Sequence, residues 1–161
     1  MKKYFYFNRG FGLVEVVISV SIISLSILGV MLVAQLSQKV IGESTKKVQA
    51  AFLAEEGIEA VKSMRDRSWQ TDISLLNVGS DYYISFNGTA WVSTTTNAYL
   101  NNIFERKFVV NNVYRNVSDD IAESGALDPD TKKITVSVSW FNRNSTTTNS
   151  ISTYIANLYS N

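Results

Sequence analysis

The chain has no cysteine, no histidine and a single proline, Pro129, among its 161 residues. Without cysteine there can be no disulfide, no thiolate metal site and no cysteine nucleophile, so the fold rests on its core and on packing in an assembly. Without histidine the commonest metal ligand and the commonest general base are also missing. A serine nucleophile would lack its usual base, and no G-x-S-x-G elbow occurs. The sequence therefore predicts a protein that is not an enzyme and carries no cofactor. Fifteen basic and fourteen acidic residues nearly cancel. This balance provides no concentrated basic face of the kind nucleic acid demands.

Charge is scarcest near the N-terminus. From Phe11 to Ala34 the chain is apolar with scattered serines, and its only charged residue is Glu15. Those 24 residues span roughly 36 Å as a helix, enough to cross a bilayer core of about 30 Å. A carboxylate near the start of such a helix costs roughly 2 to 4 kcal/mol in lipid unless a cation neutralises it. Lys2, Lys3 and Arg9 precede the run and would hold the leader on the cytoplasmic side, since flanking positive charge sets the orientation of a membrane segment. The run is too long for a secretory signal peptide, and no small-x-small cleavage site closes it. Two readings stay open on these features alone. Glu15 can complement the positive end of the helix dipole in an ordinary signal anchor, or it can await a cation from another subunit.

The string RGFGLVEVV, from Arg9 to Val17, resembles the class III signal of type IV pilins and their relatives, the minor pilins and pseudopilins. The resemblance implies cleavage by a prepilin peptidase after Gly10 and N-methylation of Phe11 as the new N-terminus. It also implies pairing of Glu15 with the terminal amine of a neighbouring subunit during assembly. The expected partners are other pilin subunits, the peptidase, the assembly platform with its ATPase, and the membrane, with no nucleic-acid contact. The expected location is the cytoplasmic (inner) membrane, single-pass with the C-terminal domain outside, and then an extracellular pilus or a periplasmic pseudopilus. Two departures stand out: Gly12 occupies the position after the new N-terminus, where many relatives carry a hydroxyl, and no proline interrupts the apolar helix. Cleavage would remove three basic residues and leave 12 against 14 acids, a net charge of 12 − 14 = −2.

Beyond Ala34 the pattern turns amphipathic. Ala50, Ala51, Leu53, Ala54, Gly57, Ile58, Ala60, Val61 and Met64 recur at helical spacing, with Glu55, Glu56, Glu59, Lys62 and Asp66 mainly opposite. One continuous helix from about Phe11 to Arg67 is predicted, with Gly42 as a candidate bend. Ser19, Ser26 and Gly29 fall near one helical face, where they can admit a neighbouring helix; alternatively, the serines bond back to their own helix. The segment Ala50 to Trp69 is also similar to this helix in a subgroup of pilin-like proteins.

After Trp69 the composition shifts to Asn, Ser, Thr and aromatics. Strands are predicted at Tyr82 to Phe86, Ala90 to Ser93, Phe104 to Val117, around Ile134 to Trp140, and at Ser150 to Leu158. Asn87-Gly88 marks a hairpin, Asn111-Asn112 a turn or bulge, and Asn142 to Asn149 a polar turn. The expected architecture is α+β, a long helix against an antiparallel sheet, which is also the fold the pilin resemblance implies. The expected division is a leader (1–10), an assembly helix (11–34) and a globular domain (35–161). Asp119, Asp120, Glu123, Asp128 and Asp130 could form a calcium loop or a solvated acidic loop between Ser118 and Lys133. Trp69, Tyr82, Tyr83, Trp91 and Tyr99 could form a binding patch or belong to the sheet's core and rim. The functional reading is a structural subunit of a pilus or pseudopilus; the alternative is a monomeric membrane-anchored adhesion domain.

Overall fold

The structure is a computed structural model that describes residues 12–97, 99–142 and 145–158. It divides into two compact units that meet between Ser44 and Thr45. A single helix, α1 (Leu13–Arg67), runs through that boundary, and no break occurs at Gly42. Gly42 costs helix propensity, about 1 kcal/mol relative to alanine, but neighbouring residues carry the helix across it.

In the second unit, α1 buries Ala50, Ala54, Gly57, Ile58, Ala60, Val61 and Met64. Their recurrence at three and four residues places them on one stripe. Ala50, Ala54, Gly57 and Ala60 keep much of the stripe low, and at Gly57 there is no room for a side chain. A Cβ there would sit 2.8 Å from Val136 Cγ1 and 3.3 Å from both Arg106 Cδ and Ile84 Cδ1. Helix and sheet are in tight contact at this residue without a side chain. The helix stops at Ser68, whose backbone is extended and whose hydroxyl accepts from the Thr71 amide, capping the short α2 (Trp69–Asp72).

The strands are β1 (Asp81–Phe86), β2 (Trp91–Thr94), β3 (Phe104–Arg115), β4 (Ile121–Ala122), β5 (Ala126–Asn142) and β6 (Ser145–Ala156). They form one antiparallel sheet in the order β2-β1-β3-β5-β6, with β4 beside the end of β3. The architecture is α+β, as the sequence predicts. Asn87 closes the first hairpin by accepting from the Thr89 and Ala90 amides, while Gly88 takes φ +92°. Inward-facing Phe104, Phe108, Val110, Ile134, Val136, Val138 and Trp140 meet the α1 stripe in the core.

Of the two readings of Asn111-Asn112 the bulge holds: β3 continues unbroken to Arg115, and its register with β5 shifts between Asn112 and Val113. Two sequence expectations change. The stretch Ser118 to Lys133 is not all loop: β4 pairs with one edge of β3 and β5 begins at Ala126 on the other. Pro129 is tolerated because it lies in the irregular stretch between Asp128 and Lys132, where no residue of β3 is paired to it. The predicted turn Asn142 to Asn149 is mostly strand, since Ser145 to Asn149 pair in register with β5. Their β-branched and hydroxyl side chains favour a pleated surface over a turn.

Candidate functional site: the apolar helix and the surfaces beside the sheet

The first unit holds the feature the sequence singles out. Glu15 lies in the first turn of α1, where its amide and that of Val16 donate to the Gly12 carbonyl at 2.9 and 3.3 Å. From Leu13 to Ile41 the large apolar side chains are exposed all round the helix. The helix is long and apolar enough to cross a membrane. Gly10, Phe11, Lys2, Lys3 and Arg9 lie outside the described residues.

The four hydroxyls between Leu13 and Ala34 are internally satisfied. Ser19, Ser21, Ser24 and Ser26 donate to the carbonyls of Glu15, Val17, Val20 and Ile22 at 2.8, 2.7, 2.8 and 2.9 Å. A serine bonded one turn back presents little unmet polarity to hydrocarbon. This is the second of the two serine readings. Glu15 has no such outlet: no hydrogen bond or ion pair engages its carboxylate among the described residues. Ser26, Gly29, Val30, Val33 and Ala34 line a shallow, almost wholly apolar groove on this helix.

In the second unit the polar side chains are mostly committed to one another. Arg106 is the unexpected one, because its guanidinium is buried among the core residues at 3% exposure. Its Nη1 donates to the Leu53 carbonyl at 3.2 Å and lies 3.2 Å from Glu56 Oε1, while its charge sits 5.6 Å from the Trp91 ring centroid. The signal was present in the sequence: Arg106 falls in phase with Phe104, Phe108 and Val110 on the inward side of β3. On the opposite sheet face Glu105 accepts from Tyr83, Asn97 and Ser139. Burial, and then the hydrogen bond to Glu105, pushes the Tyr83 phenol upward. Lys107 is raised by its hydrogen bond to Asp81.

The acidic residues do not gather into one cluster; Asp119 and Asp128 meet only through Arg115. Asp128 accepts from Arg115 Nε at 2.6 Å, and Asp130 accepts from Asn157. Arg115 holds the Asp128 carboxyl below its ordinary value. Among the described residues no group of three acids is arranged to hold a metal. The aromatic set also disperses: Trp69 and Tyr82 are core, Tyr83 and Trp91 are half-buried, and Tyr99 is exposed. A separate cleft of about 380 Å³ lies beside β4, with Tyr114, Ile121, Glu123, Lys133 and Tyr154 in its wall.

Comparison with family models, with curated proteins and with solved structures returned no match. The functional reading therefore rests on the chain's own physical features.

Proposed function

We propose that this chain is a prepilin-like structural subunit, inserted in the cytoplasmic membrane, cleaved between Gly10 and Phe11, and assembled through α1 into a pilus or pseudopilus. The observation that carries the reading is Glu15, the one charged residue between Phe11 and Ala34, whose carboxylate has no partner among the described residues in this exposed apolar stretch of α1. In lipid that acid is costly. Pairing with the N-terminal amine of Phe11 on an adjacent subunit would neutralise both charges as the fibre forms. The self-bonded serines fit the same role, because they leave Glu15 as the strong polar group of the segment. The subunit would be a substrate of a prepilin peptidase and of ATP-driven assembly machinery, without catalysis of its own.

The test is intact mass after co-expression with a prepilin peptidase. Loss of residues 1–10, with or without a methyl group on Phe11, is the expected result. Retention of the leader, with the peptidase active on a control prepilin, would overturn the reading in favour of a monomeric anchored domain that binds its ligand through the sheet. Glu15→Ala is then expected to leave membrane insertion intact and to lower incorporation into fibres. Unchanged incorporation would sink the charge-pairing argument.

A further inference from the structure

We propose that the free edge of β6 pairs antiparallel with β6 of a second copy of this chain, joining two sheets into one. The proposal does not depend on the fibre reading, since it concerns only the second compact unit.

The sheet has two outer strands of very different kind. β2 has four residues, whereas β6 has twelve. Among the described residues β6 is paired only with β5, in an unshifted register from Asn142↔Ser145 to Thr131↔Ala156. Half of its amides and carbonyls must therefore point away from β5, and water or another strand must satisfy them. Soluble proteins ordinarily blunt such an edge with lysine, proline, a bulge or a very short strand. Ser145–Ala156 contains no charged residue, no proline and no glycine, and it has no register shift. The long edge is left open.

Self-pairing is favoured over another occupant by the strand's own composition. In an antiparallel pair of identical strands the paired residue numbers sum to a constant, and a strand without charge produces no like-charge opposition in any register. With the dyad at Ser150, Ser150 faces its own counterpart and Thr148 faces Ser152 of the second copy, so hydroxyl meets hydroxyl at the centre of the outer face. That row already exists within one chain. Ser150 bonds Ser137 at 2.9 Å and Ser152 bonds Thr135 at 2.9 Å. Because each hydroxyl both donates and accepts, the row can extend across a further strand. A charged partner would find no complement here. A strand pair is smaller than a standard stable interface, so the association is expected to be weak and to need high local concentration.

The absence of cysteine allows a direct test on the full chain in detergent micelles. Single cysteines are placed one at a time at each position from Thr147 to Thr153, with Ser93→Cys in β2 as the control, and oxidised. A disulfide needs Cα atoms within about 7 Å. A step of two residues from the dyad separates the paired cysteines by about 14 Å. The expected result is a disulfide dimer concentrated at one position, falling several-fold two residues to either side and absent at Ser93→Cys. A lysine added next to the best cysteine, on the same exposed edge, should lower that yield. No dimer at any position, or equal yields at all positions including Ser93→Cys, would overturn the proposal.

Discussion

Glycine occurs at 29 and 42 in one part of α1 and at 57 in another, and the three sites differ only in what surrounds them. A Cβ at Gly29 or Gly42 would meet nothing within 4 Å, whereas one at Gly57 would press on Val136, Arg106 and Ile84. The serines divide the same way: those between 19 and 26 bond back to their own carbonyls, while Ser68 caps the next helix. One continuous helix thus follows two rules. Where its apolar side chains are exposed all round, sequence is constrained by hydropathy; where it lies on the sheet, sequence is constrained by shape. The largest separation between the two regimes should come from truncating a large side chain in each. Phe108 is fully buried on β3, and Phe108→Ala should destabilise the sheet unit by about 3 to 5 kcal/mol. Leu25→Ala, on the exposed run, should leave sheet unfolding unchanged. Denaturant unfolding of the full chain followed by tryptophan fluorescence compares them; equal effects would abolish the distinction.

A second pair of substitutions sharpens it by reversing sign. Gly57→Val forces a Cβ and two methyl groups into a tight helix-sheet contact and is expected to cost about 1 to 3 kcal/mol. Gly42→Ala meets no atoms and should gain about 1 kcal/mol of helix propensity at most. If Gly57→Val were neutral in the same unfolding assay, the close approach at Val136 would not limit the packing.

Arg106 tests the shape rule from the polar side. Its charge is buried, yet its carboxylate partner Glu56 is half-exposed. Glu56→Gln keeps the shape of the side chain and removes the countercharge, leaving the guanidinium with the Leu53 carbonyl and the Trp91 face. The expected loss is about 1 to 2 kcal/mol, below that of a fully buried pair because water already reaches Glu56. A loss that persists undiminished in high salt would fit this geometry, since burial limits screening. A loss abolished by salt would make the contact a surface one.

How much was legible follows from which physics was local. The exposed run and Glu15 could be read directly, because hydropathy and charge need no tertiary context. The α1 stripe was legible from its period, and the β5 core face from the alternation of Ile134, Val136, Val138 and Trp140. Strand ends were not. Ser145 to Asn149 read as a turn because polar residues favour loops, but β5 supplied a long partner that drew them into the ladder. Asn111-Asn112 read equally as turn or bulge, and only the extra residues around Pro129 on β5 select the bulge. Arg106 carries no local mark of burial, since a charged residue ordinarily faces solvent; only its phase in β3 points inward.

The smallest expected effect concerns the end of the sheet, where electrostatics adds to shape. Arg115 donates to Asp128 at 2.6 Å and approaches Asp119 at 3.7 Å. The Asp128 carboxyl is held below its ordinary value near 3.8, mainly by the Arg115 hydrogen bond. A carboxyl depressed in the folded state favours folding above its unfolded pKa, and that contribution disappears as pH falls through the folded value. Stability should therefore decline as pH falls from about 7 to below the ordinary carboxyl value, partly through Asp128. Asp128→Asn removes this titration, so the variant should be slightly less stable than the parent at pH 7, with the gap closing as pH falls. Thermal unfolding at both ends of that range measures the closure. A gap that stayed constant would assign the role of Asp128 to its hydrogen-bonding shape, bringing this polar corner under the same rule as Gly57.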